Sequence, residues 1–502
     1  MNQHSRYMSY SRIIFSSFIV LIWSSCQSPE SPASNEYEEF INELVERGQL
    51  NGNVLVYESG NIVHQSAHGI ANPATGEKLH LNSVFRLASV SKQFTAMAIV
   101  LLKEEGKLDY DQDIRDFIPE LPYQGITIRH LIHHVSGLPD YINLLFDHWK
   151  PDLSADDPNR LIEGNEDMIR LLAEHQPPVH FESQEEWEYS NTGYALLASI
   201  VSRVSGMPFE DFMKERIFEK ANMKNTVVYE YTPDPDPEMP NRVFGFRLDL
   251  NGKDMISSDS HFLNGAQGDG GIYSTLEDLL NWDRALHTDK IVNQAVLNEV
   301  YTPIILNNGD TTNYAFGVGV HESKSGKKII AHSGGWVGFL TYLHREIEDD
   351  HCIVILTNHF NPYFDGIRKG LLDILHGEPY TLPPLSIRTT IGSTVVNKGI
   401  DAAIEQYHSI KTSGPDDYRF HESELNSLGY QLLREEYTDE ACSIFELNMK
   451  EYPESANTYD SYGDGLLSRG DTTNALVQFK KAIAIDSSFT SPREKIQELE
   501  GG

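Results

Sequence analysis

The chain has 502 residues, 40% of them hydrophobic and 23% charged, a composition typical of globular domains. This length exceeds what one compact core usually holds, so two or more domains are expected. The formal net charge of −34 repels phosphate backbones and argues against a nucleic-acid partner, while the three cysteines provide neither a disulfide framework nor the spacing of a metal site.

The first residues have the pattern of a targeting segment. An apolar run at residues 13–23 follows two arginines and is short for a bilayer span. Small residues, Cys26 and a polar stretch come next, an order that resembles a bacterial lipoprotein signal, in which the cysteine becomes the lipidated first residue. We therefore expect a signal peptide at residues 1–25 and a tether at residues 26–36. A plain secretory signal and an uncleaved anchor are the alternatives.

Export would bring the chain to the cell envelope. We expect a lipid on Cys26 to hold the protein on a membrane, facing the periplasm or the exterior. No later stretch of the sequence is long and apolar enough to cross a bilayer.

Strand patterns lie at both ends of the next region, with helical patterns between them. Alternating apolar residues around a glycine turn predict an early hairpin, and residues 328–332, 339–344 and 352–357 predict three consecutive antiparallel strands. We predict an α+β domain over residues 37–377. Its antiparallel sheet would join early and late segments, with helices flanking the sheet and a further region that is all helical.

The strongest chemical signal is a Ser-x-x-Lys motif at the start of an apolar helical pattern. Ser89 and Lys92 lie three residues apart, so one helical turn puts their side chains on one face. A serine needs a neighbouring base to act as a nucleophile, and a lysine serves when burial and nearby cations keep its amine neutral. We predict Ser89 as the nucleophile and Lys92 as its base. Ser325 and Lys328 repeat the spacing, but in a polar turn that provides no buried platform.

A second segment carries polar groups suited to the same reaction. Tyr189 precedes Asn191 by two residues at the start of an apolar helix, where the phenol would shuttle protons and the amide would hold substrate. The alternative is structural, because Asn191 or its neighbour could cap that helix. Tyr141 and Asn143 have the same spacing in what is expected to be a loop.

A third segment, at the end of a predicted strand, is His332-Ser333-Gly334-Gly335. Small side chains there let a substrate lie along the strand edge and bind main-chain groups by strand addition. The backbone N–H of Gly335 would pair with that of Ser89 as an oxyanion hole. The alternative is an ordinary glycine-rich bend of the strand.

The C-terminal part of the chain has a different pattern. Prolines mark a linker at residues 378–398. Beyond it, residues 399–502 repeat Gly, Leu, Ala and Phe with a 34-residue period, as in Gly429 and Gly463, which resembles the tetratricopeptide repeat. Such helical repeats would recruit a protein partner or only stack on the catalytic domain. A generic pair of helical hairpins is the alternative.

Taken in chain order, the three segments that carry the candidate catalytic residues resemble the motifs of the serine β-lactamase and penicillin-binding superfamily. The resemblance spans roughly residues 40–375 and includes flanking segments at residues 126–139 and 270–278. The relatives are class C β-lactamases, D-alanyl-D-alanine carboxypeptidases and esterases. The resemblance implies a β-lactamase/transpeptidase-like domain, a reaction through an acyl-enzyme, and no metal or other cofactor.

The resemblance also implies a role for each residue of the three segments. These roles are acylation and proton transfer at Ser89, Lys92 and Tyr189, oxyanion binding by the N–H groups of Ser89 and Gly335, and substrate binding at Asn191, His332, Ser333 and Gly334.

One position departs from the superfamily pattern. Class C β-lactamases usually have Lys-Thr-Gly where this chain has His332 and the two residues after it. A lysine offers a permanent charge to a substrate carboxylate, whereas a histidine is charged only in part near neutral pH. Histidine occurs at this position in some carboxypeptidases and esterases of the superfamily, so the resemblance favours a peptide or small-molecule amide or ester as substrate over a β-lactam antibiotic. The alternative from another functional class is a non-catalytic envelope receptor with a protein-binding tail.

Overall fold

The computed structural model describes residues 32–149, 164–229, 239–259 and 261–501. The predicted signal peptide, the lipidation site at Cys26 and the first part of the tether lie outside the described residues. Among the described helices, none combines the length and the apolar character that a membrane span requires.

The strands are short except in one large sheet. In chain order they are β1 (Gly52–Glu58), β2 (Asn61–His68), β3 (Ile70–Asn72), β4 (Glu77–Lys78), β5 (Phe85–Arg86), β6 (Val227–Val228), β7 (Phe246–Leu248), β8 (Met255–Ser257), β9 (Ile272–Ser274), β10 (Gly319–Glu322), β11 (Lys328–Trp336), β12 (Phe339–Glu346), β13 (His351–Thr357), β14 (Leu385–Ser386) and β15 (Tyr418–Arg419).

The helices fall into a group within the first domain and a group in the tail. In chain order they are α1 (Pro32–Glu46), α2 (Lys92–Glu104), α3 (Ile128–Ile132), α4 (Tyr141–His148), α5 (Asn165–His175), α6 (Asn191–Ser205), α7 (Phe209–Met213), α8 (Leu276–Leu286), α9 (Gln294–Val300), α10 (Phe364–Leu375), and then α11 (Ile387–Lys398), α12 (Ile400–Ser413), α13 (Glu422–Arg434), α14 (Thr438–Glu451), α15 (Ala456–Ser468), α16 (Thr472–Ile485) and α17 (Ser491–Gly501).

A six-stranded antiparallel sheet organises the first domain. Its order is β10-β11-β12-β13-β1-β2, so the first hairpin of the domain pairs with its last strand, and Gly52 lies opposite Thr357. The predicted sheet of early and late segments is therefore confirmed. Because β1 and β13 occupy central positions, both faces of these strands are buried.

Two apolar cores lie on the two faces of this sheet. Helices α1 and α10 cover one face, where Phe40, Ile353 and Ile367 are buried. The other face packs against the helical region that contains α2 and α6, around Leu55 and Phe94. The predicted α+β architecture, with flanking helices and a separate helical region, is confirmed.

Two segments that were expected to connect domains contain helix. Helix α1 begins at Pro32, so the last residues of the expected tether are helical. Helix α11 lies inside the expected linker, and its Ile387, Ile391 and Val395 are buried against the tail. These three residues recur every four positions and form one helical face. Because prolines come just before α11, the sequence pattern of this segment predicts a linker.

The tail is helical, and its neighbouring helices approach closely at two equivalent glycines. A Cβ atom on Gly429 would lie 2.4 Å from the ring of Phe445, and one on Gly463 would lie 2.3 Å from the ring of Phe479. The 34-residue period therefore reproduces the same helix contact, once between α13 and α14 and once between α15 and α16. Assignment of these helices to the tetratricopeptide type stays a prediction.

Candidate active site

Ser89 lies in a tight turn between β5 and α2. Ala88, just before it, has a φ of +49°, in the left-handed region, and a 3-10 turn then leads into α2. The Leu87 N–H donates to the carbonyl of Ile272 at 2.8 Å, and the Leu87 carbonyl accepts from the Thr341 hydroxyl at 2.7 Å. Strands β9 and β12 therefore hold the backbone immediately before the serine.

Gly334 of β11 packs directly against this turn. A Cβ atom on Gly334 would lie 2.3 Å from the Leu87 carbonyl oxygen and 3.0 Å from the Ser89 nitrogen, so only glycine allows this approach. The register of β10 on β11 ends at Ala331. From His332 onward, the edge of β11 is therefore free of β10 and lies beside the serine turn.

The Lys92 amine is fully buried at the centre of the site. Its Nζ lies 3.1 Å from Ser89 Oγ, 2.9 Å from Asn191 Oδ1 and 2.7 Å from the carbonyl oxygen of Asp269. The amide and carbonyl oxygens can only accept, so two N–H bonds go to them. The remaining position on the nitrogen faces Ser89. In the neutral amine that position is a lone pair, directed to take the serine proton.

Asp140 sets the orientation of the Asn191 amide. Asn191 Nδ2 and its backbone N–H donate to Asp140 Oδ2 at 2.8 and 3.1 Å, which turns Oδ1 toward Lys92. Ser190 occupies the position before α6, and no side chain caps that helix end. The capping alternative for Asn191 is therefore not seen, and its side chain positions the lysine. Sequence reasoning missed Asp140, although it caps α4 by accepting from Ile142.

Tyr189 lies beside the lysine. Its ring centroid is 4.8 Å from Lys92 Nζ and 4.3 Å from the ring centroid of the buried His134. The Tyr189 hydroxyl is buried and has no hydrogen-bond partner among the described residues. Buried polar groups are rarely left without a partner, so this hydroxyl is suited to bind a substrate or water that enters the site.

His332 is a neutral histidine with a defined tautomer. Burial is the main cause that lowers the pKa of His332 to about 4. Its Nδ1 lies 2.5 Å from the carbonyl oxygen of Ser333, which can only accept, so Nδ1 carries the proton. Nε2 then accepts from the Tyr314 hydroxyl at 3.0 Å. The partial positive charge expected from the sequence is therefore absent at neutral pH.

A cavity of about 280 Å³ opens beside Ser89. Several of its lining residues were expected, and several were missed because only the tertiary fold brings them to the site. The expected ones are Ser89, Tyr189, Asn191 and Gly335, and the missed ones include Arg86, Tyr141, Asp269 and Trp336.

Tyr141 lines the cavity and was expected to lie in a loop. It is instead the first residue of helix α4. Its hydroxyl donates to the carboxylate of Asp269 at 3.1 Å, and burial is the main cause that raises the pKa of Asp269. The second Ser-x-x-Lys motif stays apart from this site, because Ser325 lies in the exposed turn between β10 and β11.

Comparison with known proteins identifies the family. The beta-lactamase family model matches residues 38–378. The chain belongs to the β-lactamase family. A penicillin-binding protein of Bacillus subtilis (strain 168) is 37% identical over 349 residues, which cover 68% of this chain and 75% of the relative. As a member of this family, the chain is a serine hydrolase.

A further relative and a solved structure are also similar to this chain. A D-aminopeptidase of Gluconobacter oxydans (strain 621H) is 22% identical over 313 residues, which cover 62% of this chain and 56% of the relative. The crystal structure of a penicillin binding protein from Bacillus halodurans is 25% identical with a TM-score of 0.56, covering 67% of this chain and 97% of that structure. The chain thus spans just over half the length of the D-aminopeptidase.

Proposed function

We propose that this β-lactamase-family hydrolase works through an acyl-enzyme on Ser89, with Lys92 as the base. The observation that carries the proposal is the 3.1 Å contact between Lys92 Nζ and Ser89 Oγ, while the other two contacts of the amine are acceptors. Ser89 Oγ would bond to the acyl carbon as its proton moves to Lys92. The leaving group would depart with a proton relayed from Lys92 through Tyr189. Water would then hydrolyse the ester and restore Ser89.

The uncovered edge of β11 is the proposed substrate cradle. An extended peptide would pair with the main chain at Ser333 and Gly334, beside His332 and the Asn191 amide. The N–H groups of Ser89 and Gly335 would bind the oxyanion of the tetrahedral intermediate. Support for this geometry comes from Gly334, which brings the strand edge against the serine turn.

An amide or ester is proposed as the substrate, in preference to a β-lactam. Neutral His332 lacks the permanent charge that a lysine supplies at this position in class C β-lactamases. The relatives named a penicillin-binding protein and a D-aminopeptidase support a D-amino-acid peptide or amide, such as a D-alanyl peptide. A small ester is the second option, and β-lactam hydrolysis is the alternative activity.

The proposed place of action is the cell envelope. A lipid on Cys26 would anchor the chain to a membrane, facing the periplasm or the exterior, and the names of the penicillin-binding relatives support an envelope location. The helical tail is proposed to stack on the catalytic domain or to bind a protein partner there.

The test is labelling and turnover by the purified chain without residues 1–26. A fluorophosphonate and a fluorescent penicillin should label the wild type and the Ser325→Ala variant but not Ser89→Ala, since Ser89 has a buried lysine amine beside it and Ser325 lies in an exposed turn. Hydrolysis of D-alanyl dipeptides, D-amino-acid amides, short-chain esters and a chromogenic cephalosporin should fall at least about 10³-fold in Ser89→Ala.

The substrate panel also separates the alternatives. Faster hydrolysis of the cephalosporin than of every amide and ester would replace the proposed activity with that of a β-lactamase. Stoichiometric labelling without repeated turnover would favour a receptor. Equal labelling of Ser89→Ala and the wild type would disprove the assignment of the nucleophile.

A further inference from the structure

A second cavity, of about 790 Å³, lies where the catalytic domain meets the tail. Strand β7 and the turn after α1 line it from the catalytic domain, while α11 and α13 line it from the tail. The charged residues among its lining are Arg47, Arg247, Arg388, Arg434 and Asp249. Four arginines against one carboxylate make this region locally positive, in a chain whose net charge is −34.

The carboxylates near the cavity are already engaged. Asp249 accepts the backbone N–H groups of Lys253 and Asp254 at 2.9 and 3.1 Å. Glu435 pairs with Arg247 at 2.9 Å. Among the described residues, the other three cavity arginines form no ion pair with a carboxylate.

Among the cavity arginines, Arg388 and Arg434 have guanidinium groups without a close partner in the residues that the structure describes. Within the described part of the chain, neither guanidinium forms a hydrogen bond or an ion pair. Burial lowers the pKa of Arg388, and the opposing carboxylate, Glu424, already binds the guanidinium of Arg419. Burial and the charges of Arg247 and Arg388 lower the pKa of Arg434. Like charges held together at a partly buried site favour an anion between them.

His359 supplies an independent polar group on the same wall. This residue is 8% exposed and lines the cavity, and its Nδ1 has no hydrogen-bond partner among the residues described. The ring stacks on Phe246 at a centroid distance of 5.3 Å, which fixes its plane. Since unpaired polar atoms at such buried positions are rare, Nδ1 is a candidate to meet a ligand.

We propose that this cavity binds a ligand with two or more closely spaced negative charges, carried by phosphate or carboxylate groups. Planar guanidinium groups bind such oxyanions through paired hydrogen bonds, and their charge is permanent. The cavity shares no lining residue with the cavity beside Ser89, so the ligand would be distinct from the hydrolase substrate. The site would let the catalytic domain and the tail engage an anionic molecule together.

The test is isothermal titration of the full mature chain at low ionic strength with inorganic pyrophosphate and, separately, with citrate. At least one anion should bind, and Arg388→Gln combined with Arg434→Gln should weaken that binding by about tenfold for each charge removed. Binding should also weaken as NaCl is added. The preferred anion distinguishes a phosphate-bearing from a carboxylate-bearing ligand.

The controls separate binding from folding and from catalysis. Arg469→Gln, which removes a tail arginine outside the cavity, should bind as the wild type does. Ser89→Ala should keep its affinity, because the proposed reaction plays no part in anion binding. The double arginine variant should retain the wild-type thermal unfolding temperature within a few degrees. Unchanged affinity in the folded double variant, or binding of neither anion by the wild type, would overturn the proposal.

Discussion

At the residue scale, the position of Lys92 depends on a short relay of polar contacts. Asp140 orients Asn191, and Asn191 accepts from the lysine amine at 2.9 Å. The Ser-x-x-Lys spacing predicts the close contact of Ser89 and Lys92 because both lie on one helical turn. No local pattern predicts the contact of Asp140 with Asn191, which lie 51 residues apart, because it depends on how α4 packs beside α6.

Asp140→Ala should therefore reduce catalysis more than it reduces stability. Loss of the carboxylate frees the Asn191 amide to rotate, so we expect kcat/KM to fall roughly 10- to 100-fold and its pH profile to change. The lost cap of α4 should lower the free energy of unfolding by about 1 kcal/mol. Steady-state kinetics across pH and urea unfolding measure the two effects.

Asp113→Ala is the matched control for this substitution. Asp113 also caps a helical turn, by accepting the backbone N–H of Arg115 at 2.9 Å, but it makes no contact with the site. Its loss should cost similar stability and leave kcat/KM within about twofold. If both variants lose the same activity, Asp140 has only a structural role.

At the element scale, periodicity predicts the strands and the long helices. The connecting segments and the contacts between elements depend on tertiary packing. The hairpin and the three late strands have alternating or continuous apolar residues, and the structure extends each late strand at one end. Helix α11 was missed because three prolines precede it, although Ile387 and Ile391 already lie on its buried face. The contact of Gly334 with the serine turn has no local signal, because it joins segments 245 residues apart in the sequence (334 − 89).

Gly463→Ala should loosen the contact between α15 and α16. The added methyl group would lie 2.3 Å from the buried ring of Phe479, so the helices must separate. We expect a loss of about 1–3 kcal/mol from overpacking, reduced by the better helix propensity of alanine. Increased cleavage of the tail by trypsin, with hydrolase activity retained, is the measurement.

Gly414→Ala serves as the comparison for this prediction. A methyl group on Gly414 meets no atom closer than 3.5 Å, so the tail should keep its wild-type resistance to trypsin. Equal resistance of both variants and the wild type would show that the glycine contact does not hold α15 and α16 together.

At the scale of the whole molecule, buried and half-buried histidines make stability depend on pH. Burial is the main cause that lowers the pKa to about 4 at His64, His133, His332 and His359. A histidine in the unfolded chain has a pKa of about 6.5. Between these values the unfolded chain binds protons that the folded chain does not. The free energy of unfolding should therefore fall as the pH decreases from about 6.5 to 4.

His359→Gln should weaken this dependence on pH. At pH 5, keeping His359 neutral lowers the free energy of unfolding of the wild type by roughly 2 kcal/mol. The variant lacks this histidine, so between pH 7 and pH 5 its free energy of unfolding should fall by about 2 kcal/mol less than that of the wild type. Urea unfolding at the two pH values, in buffer without polyvalent anions, measures the difference. His321→Gln, at an exposed position, should retain the wild-type dependence. Parallel curves for wild type and His359→Gln would contradict the prediction.

The pairing of Gly52 with Thr357 also constrains how the chain can fold. These partners are 305 residues apart (357 − 52), so β1 has no neighbour on that side until most of the polypeptide has been synthesised. Assembly of such distant partners is slow, and the nascent β1–β2 hairpin exposes an apolar edge throughout that interval. A chain interrupted before β13 would keep that edge open to pairing with other molecules, which makes premature termination a direct route to aggregation.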